Sequence, residues 1–189
     1  MATTRGLSSS SAHPLPMARN EIDIAAPPKD VFAVLSDARS YSHWVVGSRE
    51  VRAVDAAWPE RGSAFDHTVG TGPFGLKDHT YVEQVDPPSL LRLRARARPF
   101  PSARVTLSLE PAGEGTLVTM VEDPAFPLGP TLIGPLGHAA IKLRNAESLK
   151  RLKRLAEGRT SVPGGQLGAR EPAPSGRPRA AARVAGGSG

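Results

Sequence analysis

Histidine is the main candidate for proton transfer or metal binding in this chain, which contains five histidines and no cysteine. The absence of cysteine excludes thiolate ligands, disulfides and cysteine nucleophiles. None of the histidines lies in an H-x-H or H-E-x-x-H pairing, and His13 lies in a Ser- and Pro-rich stretch near the N-terminus. Since metal sites use such short ligand spacings, we expect neither a metal site nor a cofactor that depends on one.

His67 has the most informative surroundings of the remaining histidines. Phe65, His67 and Val69 alternate along a predicted strand and therefore share one face, and the apolar neighbours favour the inner face. An imidazole on a cavity wall can transfer a proton near neutral pH. A hydrogen-bonded histidine near the sheet rim has no such role, and both interpretations stay open.

The next two predicted strands carry further polar side chains. His79 and Tyr81 share one strand face, but its direction is not settled, because Lys77 and Glu83 lie on the same face. On the following strand, the inner face is apolar and comprises Leu91, Leu93, Ala95 and Ala97. Its outer face carries Arg92, Arg94, Arg96 and Arg98. We expect these arginines to pair with acids of neighbouring strands, such as Glu83 and Glu110, rather than to bind an anion.

Other residues with chemical potential lie on predicted helices. His138, Ile141 and Asn145 line up beside the apolar stripe of the last helix, and Asn145 must bind either a ligand or the backbone. Trp44 lies at the end of a short helix, where it either borders a cavity or packs beneath the helix.

The familiar nucleotide and hydrolase motifs are absent. GTGPFG, at residues 70–75, has the letters of a dinucleotide-binding G-x-G-x-x-G, but a strand rather than a helix is predicted to follow it. We therefore interpret it as a hairpin turn. The chain contains neither a phosphate-loop motif nor a G-x-S-x-G nucleophile elbow, and we expect no nucleotide cofactor.

The elements that must position these residues follow a distinct order. Alternating apolar residues predict a strand over 19–26, and two prolines then end it and begin a short helix over 28–36. A second short helix carries Tyr41 and Trp44, with Asp37 as its cap. Six strands separated by turn residues follow, over 49–57, 63–69, 76–85, 90–97, 103–109 and 116–122.

A long helix is predicted to close the domain and to end at Gly158. Its apolar stripe comprises Leu132, Leu136, Ala139, Leu143, Ala146, Leu149 and Leu152. A long antiparallel sheet with one apolar face must bury that face, and only this helix is long enough to cover it. We therefore expect an α+β fold in which a seven-stranded antiparallel sheet curls around a long C-terminal helix.

The positive charge lies mostly outside this predicted core. The 189-residue chain has a formal net charge of +6, of which residues 17–157, with 18 basic and 17 acidic residues, contribute only +1. We therefore expect no specific nucleic-acid binding. We predict three regions: a disordered N-terminal extension (1–16), one folded domain (17–158), and a disordered basic tail rich in Pro, Gly and Ala (159–189).

This order of elements resembles the START-related helix-grip superfamily, specifically its polyketide cyclase/dehydrase and lipid-transport (SRPBCC) branch. The resemblance rests on PPKDVFAVLSDARSYSHW after the first strand, YVEQVDPPSLLRLRA, GEGTLVTMVED, and LRNAESLKRLKRLAEG in the closing helix. It implies a deep cavity between the sheet and the long helix that binds a hydrophobic small molecule, such as a polyketide, a lipid or an aromatic compound. It does not imply a particular reaction.

Three functions follow as expectations. The first is binding of a hydrophobic ligand by Trp44, Phe65, His67, His79, Tyr81, Leu93, Met120, His138, Ile141 and Asn145. The second is an aromatic cyclase or dehydratase that uses the same cavity, with His67 or Tyr81 moving a proton. The third is a regulatory protein tethered by its basic tail. We expect a cytoplasmic monomer or dimer with no secretory signal and no transmembrane segment.

Overall fold

Prolines and a capping aspartate set the first elements of the fold. The computed structural model describes residues 18–70, 75–97, 102–124 and 129–160. Pro27 precedes the first helix and Pro28 begins it, where a missing N–H costs nothing. Asp37 Oδ1 then accepts a hydrogen bond from the Arg39 N–H at 3.1 Å, and so caps a 3₁₀ turn that leads into the second helix.

Seven strands and three α-helices follow the predicted order. The strands are β1 (Ala18–Ile24), β2 (Ser48–Val54), β3 (Ala64–Val69), β4 (Leu76–Asp86), β5 (Leu90–Ala97), β6 (Ala103–Ala112) and β7 (Gly115–Pro124). The helices are α1 (Pro28–Leu35), α2 (Tyr41–Trp44) and α3 (Gly129–Thr160), with a 3₁₀ turn at Ala38–Ser40. The predicted N-terminal extension, most of the predicted basic tail, Arg98 and Leu132 lie outside the residues or side chains described.

The strands form one antiparallel sheet in the order β1-β7-β6-β5-β4-β3-β2. Val69 of β3 pairs with Leu76 of β4, so these strands are antiparallel neighbours. A strand rather than a helix follows GTGPFG, as predicted, but the predicted turn itself lies at residues 71–74, outside the described residues. The sheet buries its inner face against α1 and α3, with Leu91, Leu107 and Val118 fully enclosed. The prediction of an α+β helix-grip fold is confirmed.

The inward face of α3 differs from the predicted apolar stripe. Leu149 and Leu152 are buried as expected, but Leu136 is 88% exposed and Leu143 is 72% exposed. The predicted stripe joined residues three or four apart, and its last three steps, from Leu143 to Leu152, are all of three residues. Each such step falls about 60° short of a full helical turn, so Leu143 and Leu152 lie on opposite sides of the helix. Ala139 is exposed as well, and the inward row instead passes through Asn145.

The two ends of α3 also depart from a regular helix with a glycine stop. Gly134 has φ of 62° and precedes Pro135, so the first turn is kinked relative to the rest. At the other end, helical structure continues through Gly158 to Thr160, so the prediction that Gly158 ends the helix is wrong. The helix packs on β1, β7, α1 and α2, at one side of the sheet. None of the described helices combines the length and the apolar character needed to cross a bilayer.

The outer face of the sheet carries the predicted row of arginines. Glu83 forms ion pairs with Arg94 and Arg104, whereas Arg92 Nη1 donates to Gln84 Oε1 at 2.8 Å. Partial burial raises the pKa of Glu83, but the hydrogen bonds and charges of the two arginines outweigh burial and leave this pKa below its ordinary value. Pairing with Glu83 agrees with the expectation from the sequence.

The unequal burial of the α3 leucines leads to a stability prediction. Leu152→Ala should lower the free energy of unfolding by about 2–5 kcal/mol, because it removes a fully buried side chain and leaves a cavity. Leu143→Ala, the matched control on the same helix, should change it by less than about 0.5 kcal/mol. Urea unfolding followed by circular dichroism measures both values. Equal losses in the two variants would contradict this orientation of α3.

Candidate functional site

A cavity of about 570 Å³ lies between α3 and the inner face of the sheet. It exists because α3 covers one side of the sheet, while the central strands curve away from the helix. Most of its wall is apolar and comes from Trp44, Phe65, Val69, Leu76, Leu93, Ala95, Val105, Leu107, Met120 and Ile141. The polar lining groups include His67, Asp78, Thr80, Glu122, Arg144, Asn145 and Ser148.

An aromatic cluster forms one part of the wall. The Tyr41 ring lies 4.9 Å from that of Trp44 and 4.8 Å from that of Phe65, and Trp58 packs edge-on against Phe65 at 4.8 Å. The Tyr41 hydroxyl donates to the carbonyl oxygen of Leu35 at 3.1 Å. Burial, with a smaller contribution from the charge of Asp37, raises the pKa of Tyr41 above its ordinary value. This phenol is therefore a neutral part of the wall.

A hydrogen-bonded chain centred on His67 forms the polar part of the β3–β4 wall. His67 Nε2 lies 2.9 Å from Asp78 Oδ2, and Nδ1 lies 2.8 Å from Ser48 Oγ. Asp78 Oδ1 also accepts the backbone N–H of Arg96 at 2.7 Å. Ser48, His67 and Asp78 each have less than one-tenth of their surface exposed. A buried carboxylate needs such partners.

The partners of His67 define what its imidazole can do. An ionised carboxylate only accepts hydrogen bonds, so Nε2 is the nitrogen that donates to Asp78, while Nδ1 shares a second hydrogen bond with the Ser48 hydroxyl. Thr80 Oγ1 lies 3.3 Å from Nε2. Both ring nitrogens are therefore engaged within the protein, and these hydrogen bonds hold the ring in one orientation on the cavity wall.

The Ser48–His67–Asp78 chain has the residue types of a hydrolytic triad but not its placement. His67 and Asp78 line the cavity, whereas Ser48 lies behind them and is absent from the described lining. A nucleophile must face the reacting atom. The chain therefore orients the imidazole and Asp78 on the wall and does not present a serine nucleophile to the cavity.

A second polar cluster, formed by Glu122, Arg144 and Asn145, lies on the opposite β7–α3 wall. Glu122 is 5% exposed, and its Oε2 accepts from the Arg144 guanidinium and from Asn145 Nδ2, the latter at 2.8 Å. Arg144 Nη2 also donates to Asn145 Oδ1 at 3.1 Å. Asn145, whose role the sequence left open between ligand and backbone, is thus tied to side chains. The cluster holds a carboxylate at the cavity surface.

The structure brings most of the predicted ligand-binding residues together. Seven of them line the cavity: Trp44, Phe65, His67, Leu93, Met120, Ile141 and Asn145. They come from α2, β3, β5, β7 and α3, so the fold, rather than proximity in the chain, assembles them. The described residues contain no group of three or more His, Asp or Glu side chains arranged to hold a metal ion.

Three predicted site residues lie elsewhere. His79 and Tyr81 lie on the outer face of β4, where His79 Nδ1 is 2.8 Å from Asp66 Oδ1 and Tyr81 packs under Arg96. The alternation of β4 turns Asp78, Thr80 and Val82 inward, so these two rings must point outward. The assignment of Tyr81 as a catalytic candidate in the cavity is therefore corrected. His138 is partly buried but is not part of the described lining.

Asp78, Glu122, Arg144 and Ser48 were not among the predicted ligand-binding residues. Glu122 follows Met120 by two residues and so shares its inward face. The alternation of inward and outward residues along β7 was therefore the sequence pattern that could have identified Glu122. No comparable signal existed for Arg144, because it is the partner of a residue on another element.

These features define the class of protein: an antiparallel sheet that grips one long helix and encloses a largely apolar cavity between them. A sequence model of the polyketide cyclase/dehydrase and lipid transport family matches residues 17–157. The chain therefore belongs to that family. No curated protein matches it.

Solved structures from several bacteria share the fold. A Chromobacterium violaceum protein is 20% identical, with a TM-score of 0.59, and the match covers 74% of this chain and 95% of that one. DynU16, from the dynemicin biosynthetic locus, is 20% identical with a TM-score of 0.56, over 74% of this chain and 46% of that one. A Thermus thermophilus protein is 18% identical with a TM-score of 0.55, over 76% of this chain and 99% of that one.

The chain contains two Asp–His pairs that differ in burial, which allows a matched test. In the buried pair, Asp78→Ala should lower the free energy of unfolding by about 1–3 kcal/mol, because the N–H groups of His67 and Arg96 lose their acceptor. Asp66→Ala breaks the pair with His79, whose side chains are 42% and 55% exposed, and should cost less than about 0.5 kcal/mol. Chemical denaturation measures both. Similar losses in the two variants would show that burial does not make the Asp78–His67 pair more stabilising than the exposed pair.

Proposed function

We propose that this protein binds a hydrophobic small molecule in the cavity between α3 and the sheet. The observation that carries the proposal is the volume and character of that space. Ligand pockets commonly have volumes of about 300–1,000 Å³ and mostly apolar walls, and this cavity has about 570 Å³ with a mostly apolar wall. Burial of an apolar ligand there contributes about 25 cal/mol for each Å² removed from water.

Membership of the polyketide cyclase/dehydrase and lipid transport family supports the same proposal. The buried polar groups then have a second role besides stabilising the fold. His67 holds Asp78 on one wall and Asn145 holds Glu122 on the other, and the remaining acceptor positions of these two carboxylates can orient a ligand between them. A few placed polar groups in an apolar pocket commonly determine orientation.

Blocking the cavity should abolish binding of an uncharged dye. N-phenyl-1-naphthylamine should bind the wild-type protein saturably, with one site per chain and increased fluorescence. Leu93→Trp should weaken this binding by at least about tenfold, because the larger ring occupies the lined space. Leu90→Trp, the same exchange on the outer face of the same strand, should retain wild-type affinity.

Fluorescence titration measures the affinity, and circular dichroism verifies that each variant is folded. The proposal fails if the folded wild-type protein shows no saturable dye binding. It also fails if a folded Leu93→Trp variant binds the dye as tightly as the wild-type protein does.

We propose catalysis of a cyclisation or dehydration as a second candidate function, on the strength of one observation: the His67–Asp78 pair lies on the cavity wall. The two functions predict different behaviour of His67→Gln. If the protein only binds its ligand, this variant should retain dye affinity within about threefold, since binding needs no titrating group. If it is an enzyme, the wild-type protein should turn over a polyketide-like substrate, and the variant should bind normally but lose this turnover.

A further inference from the structure

The cavity contains two buried carboxylates and one arginine, and the chemical class of the ligand can be inferred from this distribution of charge. Asp78 lies on the β4 wall and Glu122 on the β7 wall, and both residues are about 95% buried. Arg144 is the only Lys or Arg among the described lining residues. It is already paired with Glu122.

Glu122 retains an unused acceptor. Its Oε2 takes both hydrogen bonds of the cluster, from Arg144 and from Asn145, whereas Oε1 has no hydrogen-bond partner among the described residues. A carboxylate oxygen has two acceptor positions, and Oε1 is not among the fully enclosed side-chain atoms that lack a partner, so it is accessible from the cavity. A donor group of the ligand would satisfy this oxygen.

A carboxylate on the ligand, unlike a hydrogen-bond donor, would be unfavourable in this cavity. If it pairs with Arg144, it shares this one guanidinium with Glu122, so that two carboxylates depend on a single cation. If it does not pair with Arg144, it lies in an apolar space between two negative groups. Each arrangement places an uncompensated negative charge in a medium where charges interact strongly.

We propose that the ligand is an apolar molecule whose polar group donates hydrogen bonds and carries no negative charge, and that Glu122 determines this specificity. This inference rests on the proposed function, because it assigns the ligand class of the same cavity. A hydroxyl group and a protonated amine both supply the required donor. Fatty-acid-like ligands with an ionised carboxylate are disfavoured.

Three naphthalenes that differ in one group provide the test: 2-naphthol, 2-naphthoate and 2-(aminomethyl)naphthalene. Each is titrated at pH 7 into wild-type protein that holds N-phenyl-1-naphthylamine, and displacement of the dye gives its affinity. The naphthol or the amine should bind at least about tenfold more tightly than the naphthoate. The naphthol and amine arms distinguish a hydroxyl donor from an ammonium donor.

Glu122→Gln tests the assigned residue. The variant keeps an oxygen and an amide for Asn145 but frees Arg144, so naphthoate should bind at least about fivefold more tightly than it does to the wild-type protein, and the amine more weakly. Glu83→Gln is the matched control, because it removes a carboxylate that pairs with two arginines on the outer face. It should leave the order of affinities unchanged.

The outcomes separate this inference from the function on which it rests. If the dye and all three naphthalenes fail to bind, the proposed function fails. If the dye binds but naphthoate binds as tightly as naphthol and the amine, the ligand class is wrong. The wild-type comparison decides this even if Glu122→Gln does not fold. If the folded variant keeps the wild-type preference, Glu122 does not determine specificity.

Discussion

The structure depends on one geometric constraint: a single helix must cover the inner face of a sheet that is much wider than the helix. Strands lie about 4.8 Å apart, so seven strands span roughly 29 Å, whereas a helix with its side chains is about 10–12 Å wide. The sheet therefore curls: α3 packs on β1 and β7, α1 packs on β6 and β7, and α2 packs on β2 at the other edge of the sheet. Complete closure would require side chains large enough to fill the remaining space. Ala95 and Val105 do not fill it, and the cavity results.

The same constraint explains where polar residues are tolerated inside the protein. A carboxylate on the inner face would be costly in a filled core, but it is compatible with a cavity wall if a neighbouring element supplies a partner. β3 and β2 supply His67 and Ser48 to organise the Asp78 wall, while α3 supplies Arg144 and Asn145 to Glu122. The space that the helix cannot cover is therefore where both buried carboxylates lie, and under the proposed function it is also where the ligand binds.

Much of this arrangement follows from local patterns in the sequence, and the rest depends on partners distant in the chain. Period-two alternation was sufficient for Phe65, His67 and Leu93, since each lies among apolar neighbours on its own strand face. It was insufficient for His79, because both faces of β4 mix polar and apolar residues and only the register with β3 and β5 decides between them. The inward face of α3 was predicted wrongly at Leu143, because apolar residues of that helix occur around much of its circumference. An ion pair between residues on two different elements produces no periodic pattern in the sequence, so the sequence could not predict it.

A titration followed by methyl NMR tests the central claim, that the cavity is the ligand site, most directly. N-phenyl-1-naphthylamine is added to protein labelled at its Leu, Ile and Met methyl groups. The signals of Leu93, Met120 and Ile141 should shift and saturate at one equivalent of dye, since these side chains line the cavity. The exposed Leu136 and Leu143 act as internal controls and should not respond. Shifts at those two leucines, with the cavity methyl groups unchanged, would show that the dye binds outside the cavity.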